Sequence, residues 1–162
     1  MAAPNPYPGL RQMVLSRDPV SLQNELEVPG EVRGLLLDMA APNGIATLVA
    51  LADGTVSLYL SNGGGVLGLG KHPVSKQLVR EILTSAPQYL SFAESVPTAE
   101  LPQPMYTRFH FLTLNGTKVY EAREEDLGYN RDPLSPFFHH IHKLMNVARI
   151  AMQAQASRKQ QG

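Results

Sequence analysis

The residues best placed by type and spacing to do chemistry lie in one stretch, Ser61-Asn62-Gly63-Gly64-Gly65-Val66-Leu67-Gly68-Leu69-Gly70-Lys71-His72. Gly65, Gly70 and Lys71 have the spacing of a phosphate-binding P-loop, while Gly63, Gly65 and Gly68 have that of the G-x-G-x-x-G dinucleotide fingerprint. The first chemistry needs backbone N–H groups curled around phosphates, a Lys on the β/γ oxygens and a hydroxyl on magnesium. Here His72 stands where the hydroxyl belongs, and Pro73 removes a further N–H. The Asp-ended apolar run Leu35-Leu36-Leu37-Asp38 lies upstream of the loop, whereas a magnesium-orienting strand usually follows it. The second chemistry needs a βαβ unit with an acidic residue about 20 residues further on. Glu81 falls in a helical pattern and Glu94 in a Pro-bearing loop. Gly63, Gly64, Gly65, Gly68, Gly70, Lys71 and His72 thus form a candidate loop for a nucleotide or other small molecule. The competing reading has Val66, Leu67 and Leu69 continuing a strand whose glycines allow a bulge, a bend or a close backbone contact. Three Asn-Gly or Asp-Gly pairs, at 43–44, 53–54 and 115–116, favour it, because they mark an antiparallel sheet of hairpins.

The remaining reactive side chains point to no catalytic constellation. His139 and His142, three apart on a helical pattern, share a face with Asn146 and Arg149, away from the apolar stripe. They are candidate metal ligands, but a site needs a third ligand and supporting partners, and no H-E-x-x-H pattern occurs. A solvated role is the expectation, with no metal and no cofactor. His110, between Phe109 and Phe111, reads as a satisfied histidine beside the core. Ser61 ahead of the glycines, with His72 or His110 as base, is a nucleophile arrangement that the spacing does not select, and there is no G-x-S-x-G elbow. Glu121, Glu124, Glu125 and Asp126 read as a solvated loop, the alternative being a calcium or magnesium site.

The chain has 162 residues, enough for one domain that buries about two-thirds of its unfolded surface. Charged residues make up 17%, below the usual level of about 25%. Lys plus Arg equals Asp plus Glu at 14 each, so nothing attracts nucleic acid or an acidic membrane surface. Low charge fits a protein that hides surface in a homo-oligomer or against a protein partner. With no cysteine, disulfides and thiolate chemistry are excluded. The start Met-Ala-Ala-Pro-Asn-Pro-Tyr-Pro has no charged n-region or apolar core, and no run approaches the roughly 18 apolar residues of a membrane span, so a cytoplasmic location is expected. Asn115-Gly116-Thr117 has the form of a glycosylation acceptor, without meaning in that compartment.

The elements that must position these residues follow from hydrophobic period and turn chemistry. Residues 1–31 read as an N-terminal segment, partly mobile, with a short helix over 10–17 ended by Asp18-Pro19 and one more helical turn near 21–27. Strands are expected over 32–39, 45–52 and 55–60, the last alternating Val56, Leu58 and Leu60 against Thr55, Ser57 and Tyr59. Pro73 opens a helix with Val74, Leu78, Ile82 and Leu83 as its apolar stripe, stopping before Pro87. A long connection over 88–104 follows, its start pinned by Tyr89, Leu90 and Phe92, its length suiting a partner-binding or ligand-covering role. Strands over 105–114 and 117–122 then form a hairpin with apolar residues on both faces. Asp132 caps the last helix, Pro133 and Pro136 fit its first turn, and Leu134, Phe138, Ile141, Met145, Ala148 and Met152 form its stripe. Residues 32–157 make a single α+β domain, and 158–162 a frayed tail.

The expected fold is α+β, a five-stranded antiparallel sheet (a three-strand meander plus a hairpin) with two main helices packed on it. The order of elements over residues 32–155 resembles the roadblock/longin group of profilin-like domains, where a Gly-containing hairpin leads into a helix and a C-terminal helix closes the fold. That group has two strands before the middle helix and three after, the reverse of the count here, and the resemblance assigns no functional residue. The function these observations favour is a non-enzymatic interaction or scaffold domain that self-associates. The alternative is a small-molecule or nucleotide-binding protein, or an enzyme, using the loop from Gly63 to His72.

Overall fold

A computed structural model describes residues 4–41, 44–96 and 100–161, with the side chains of 159–161 excepted. The sheet has six strands: β1 (Val32–Ala41), β2 (Gly44–Leu51), β3 (Val56–Leu60), β4 (Gly65–Val66), β5 (Tyr106–Thr113) and β6 (Gly116–Arg123). Their order is β4-β3-β2-β1-β5-β6, every neighbouring pair antiparallel. The α+β class and the antiparallel hairpins are as the turn signals require, while the strand count rises from five to six. The reason is local. Leu60 N–H donates to Gly64 O and Gly63 N–H to Leu60 O, at 2.8 and 2.9 Å, so the chain reverses there rather than extending β3. Val66 and Gly65 then pair back onto Leu58 and Tyr59. In the turn expected over 42–44, Pro42 and Asn43 lie outside the described residues, and Gly44 opens β2.

Both faces of the sheet are covered, which the period-2 alternation of β1 makes possible. Leu35, Leu37 and Met39 join Phe109 and Phe111 under the two long helices, α2 (Pro73–Ser85) and α4 (Ser135–Gln161). Leu36 points the other way, with Val49, Leu51, Tyr59 and Leu112, under α1 (Tyr7–Leu15). Each such Leu or Phe contributes about 1.5–3 kcal/mol on full burial, and both layers hold α1, sheet and long helices together.

Several elements shift from their expected places. The first helix spans Tyr7–Leu15, and the turn after it is a 3₁₀ turn over Pro19–Ser21 capped by Asp18. In α2 the buried side chains are Ser75, Val79, Ile82 and Leu83, and Val74 is exposed, because the helix axis is turned by one residue relative to the expected stripe. In the 88–104 connection a 3₁₀ run covers Ala86–Phe92, Tyr89 packs on Phe137 at 4.8 Å, and Glu94 pairs with Val119 on the outer edge of β6. Phe92 is exposed, so Tyr89 and Leu90 alone anchor its start. The acidic run after β6 is helical, α3 (Glu124–Gly128), its three carboxylates sitting in the first turn where the helix dipole favours negative charge. Asp132 and Ser135 cap the entry to α4 reciprocally, Asp132 Oδ1 accepting from Leu134 N–H at 2.9 Å and Ser135 Oγ from Asp132 N–H at 3.2 Å. The helix runs on to Gln161, past Ala156 where the apolar pattern fades.

Candidate functional site

The glycine loop does not build the strand–loop–helix of a parallel sheet that both nucleotide signatures require. Gly63 and Gly64 lie in the reversal after β3, Gly65 opens β4, and a 3₁₀ turn over Leu69–Lys71 leads into α2. Gly68 takes a left-handed φ of 74°, and Gly70 packs so closely that a Cβ there would strike the carbonyl oxygen of Gly54. These two glycines serve the turn and the packing of the loop on the β2–β3 hairpin. Lys71 is exposed at the edge of a depression of about 450 Å³ that also holds Lys76, Glu25 and Asp53. Two carboxylates opposite two ammonium groups offset the local charge that a polyphosphate would need. His72 is exposed at the start of α2. Ser61 Oγ accepts from Ile45 N–H at 2.9 Å, a hydrogen bond that pins the loop to β2.

The two acidic residues considered with these signatures are engaged elsewhere. Exposed Glu81 on α2 accepts from His140 at 3.0 Å, and Glu94 caps the edge of β6. Asp38 is fully buried between α1 and the sheet. Arg11 reaches down from α1 and grips it twice, Nη2 donating to Oδ2 at 2.7 Å and Nε to Oδ1 at 3.1 Å. Thr47 donates to Oδ1 at 2.7 Å and is itself 2.7 Å from the Tyr7 hydroxyl. His110 Nε2 lies 2.9 Å from Oδ2, so that nitrogen carries the proton and donates it. Arg11 Nη2 also donates to the Glu100 carbonyl at 3.2 Å, tying the 88–104 connection to α1.

The charges in this network are settled by burial and pairing together. Burial alone would raise Asp38, but the hydrogen bonds and charges of His110 and Arg11 outweigh it and hold the carboxyl below its ordinary range. Burial foremost lowers His110, against the opposing pull of Asp38, and the Arg11 and Arg108 charges add to the lowering. The working state is therefore Arg11 cationic, Asp38 anionic and His110 neutral. Each of its members faces a protein partner, so the network fastens α1 to the sheet. His110 is satisfied in the way its apolar neighbours implied.

The histidines of α4 part company. His139 is exposed and bonded to Asn130 at 2.8 Å, and His140 to Glu81. His142, expected to face solvent beside His139, instead packs edge-on against Phe138 at 4.3 Å, with its Nε2 enclosed and without a hydrogen-bond partner. Burial first, then the His139 and Arg149 charges, lower its pKa. Among the described residues no three His, Asp or Glu side chains cluster as metal ligands, and this includes Glu121, Glu124, Glu125 and Asp126. Glu121 pairs with Arg108 at 3.5 Å and Asp126 with Arg131 at 3.6 Å.

His142 does border a feature shaped like a binding site. Its ring, with Met145, Arg149 and Met152, lines a cleft of about 570 Å³ between α4 and the adjoining ends of β1, β2 and β3. Their spacing of three, four and three places them on one side of the helix. The opposite wall is Met39, Ile45, Leu58 and Leu60, and Glu124 from the first turn of α3 also lines the cleft. Burial raises the Glu124 carboxyl above its ordinary value. The cleft thus combines an apolar interior with one carboxylate, one guanidinium and one desolvated imidazole. In the sequence, Met145 and Met152 were legible as core and His142 and Arg149 as solvated. The 3-4-3 recurrence of all four was the available signal, hidden because it mixes apolar and polar types.

Comparison with protein-family models, curated proteins and solved structures finds no match to the chain.

Proposed function

We propose that the protein is a non-catalytic binding domain whose ligand is a small amphipathic molecule held in the cleft between α4 and the ends of β1–β3. The observation that carries this is the cleft itself. Its volume of about 570 Å³ lies within the range of about 300–1,000 Å³ typical of ligand sites, and its walls are apolar with a few polar groups at the ends. This keeps the small-molecule reading of the sequence and moves its site from the Gly63–His72 loop to α4.

Native mass spectrometry of the freshly purified, untagged chain tests it, alongside Lys71→Ala in the glycine loop and Ala46→Phe, which places a ring in the cleft because Ala46 of β2 lines it. Retained mass that disappears in Ala46→Phe and persists in Lys71→Ala supports the cleft. Retained mass that follows Lys71 instead returns the site to the loop. Circular dichroism checks that Ala46→Phe folds, and Met152→Phe fills the outer end if it does not.

A second reading, self-association, is favoured by the outer turns of α4. Ile150 is 66% exposed and the residues from Gln153 to Arg158 are all exposed. The same spectrum reports it as a doubled mass.

A further inference from the structure

Resting on the reading of the cleft as the ligand site, we propose that it selects a mono-anionic amphiphile, a medium-length monocarboxylate whose head group pairs with Arg149 and whose chain lies between the methionines of the two walls. Glu124 and Arg149 supply the lining with one group of each charge. At its start α4 packs on β5, with Phe137 stacked on Phe109 and Phe111 at 6.1 and 5.8 Å, and it goes on to contact β3 and β4. His142 therefore lies toward the β5 side and Arg149 toward the β3 side, seven residues apart and about 10 Å along the helix axis.

Arg149 is the cation of the site, and it has no carboxylate within ion-pair distance among the described residues. Its Nη2 donates to Asn146 Oδ1 at 2.5 Å, which orients the guanidinium and leaves its other donors open. A planar guanidinium takes a carboxylate through two parallel N–H···O bonds, a geometry suited to this head group. His142 disfavours a second positive charge, since its Nε2 is enclosed without a partner and burial lowers its pKa. Glu124 is the remaining charged group on the lining, and it too lacks an ion-pair partner among the described residues. A carboxylate already short of water repels a second anion, so a ligand ionised at both ends is rejected. Between the ends, Met39, Met145 and Met152 offer flexible thioether surface that adapts to an alkyl chain.

Isothermal titration with decanoate, decanol and decanedioate tests the charge selection. Decanoate is expected to bind at least tenfold tighter than either of the others. Arg149→Gln should bring decanoate down to the level of decanol, and Glu124→Gln should narrow the gap to decanedioate. Lys71→Ala, outside the cleft, should change none of these. Equal binding of decanoate and decanol by the unaltered chain, or an undiminished preference in Arg149→Gln, overturns the monocarboxylate assignment while leaving the cleft as a binding site. No binding of any of the three, together with a retained native ligand that Ala46→Phe does not displace, overturns both.

Discussion

Replacing Arg11 by Leu probes the buried network most directly. The substitution keeps much of the side chain's apolar bulk and strands the Asp38 carboxylate, whose side chain is fully buried against α1 and the sheet. Removing one partner of a buried ion pair costs about 3–5 kcal/mol. At about 2–4 °C per kcal/mol for a chain of this size, the melting temperature falls by about 6–20 °C. The pH dependence tests the reasoning more sharply. In the unaltered chain His110 and His142 are both lowered from 6.5, each mainly by burial. Their contribution is complete above the unfolded value and is lost as pH falls through the folded one, so stability rises with pH up to about the ordinary value of 6.5 and levels off above it. Asp38, also lowered, adds a loss only at more acid pH, below its ordinary value of 3.8. Without Arg11, one of the charges lowering His110 is gone while Asp38 still raises it. The His110 value then moves up from its lowered position, so the variant loses less stability than the unaltered chain as pH falls, and the cost of Arg11→Leu is larger at about pH 8 than at about pH 5.5. Urea unfolding followed by far-ultraviolet circular dichroism measures both. A cost below about 1 kcal/mol at the higher pH, where the pair should be worth several times that, or a cost independent of pH, refutes the reasoning.

Three further substitutions separate backbone from side-chain effects. Gly68→Ala meets open space and suffers only its left-handed φ, a loss of about 1–2 kcal/mol. Gly70→Ala drives a methyl into the Gly54 carbonyl and should reach or exceed the top of the range of about 1–3 kcal/mol for overpacking; thermal unfolding of the pair reads the difference, and equal losses would contradict the close approach. Tyr120→Phe removes a hydroxyl that donates to both Asp132 oxygens at 2.9 and 2.7 Å, freeing the residue that caps the entry to α4. Urea unfolding should register a loss of about 1.5–3 kcal/mol, the range for a hydrogen bond to a charged group.

Local chemistry made much of the fold legible in the sequence. Asp53-Gly54 and Asn115-Gly116 set two hairpins because such pairs supply the positive φ a tight turn needs. The Pro73 start of α2 and the Asp132 cap of α4 were equally readable, since capping involves neighbours a few residues apart. The apolar run Leu35-Leu36-Leu37 was legible as part of a strand, but which face of the sheet is covered was not, and in the structure both are. What covers each side is a long-range matter, and α1 had no signal tying it to the sheet. Arg11 meets Asp38 and His110 across separations of 27 and 99 residues. The sixth strand depended on whether the chain reversed at Gly63–Gly64 or extended, a choice made by backbone hydrogen bonds to Leu60. The cleft needed the tertiary structure most of all. A helix fixes which residues share a face, so His142, Met145, Arg149 and Met152 were bound to stand together. Whether that face meets solvent, the sheet or a cavity is decided by how far α4 overreaches the ends of β1–β3, and no local rule of sequence encodes that distance.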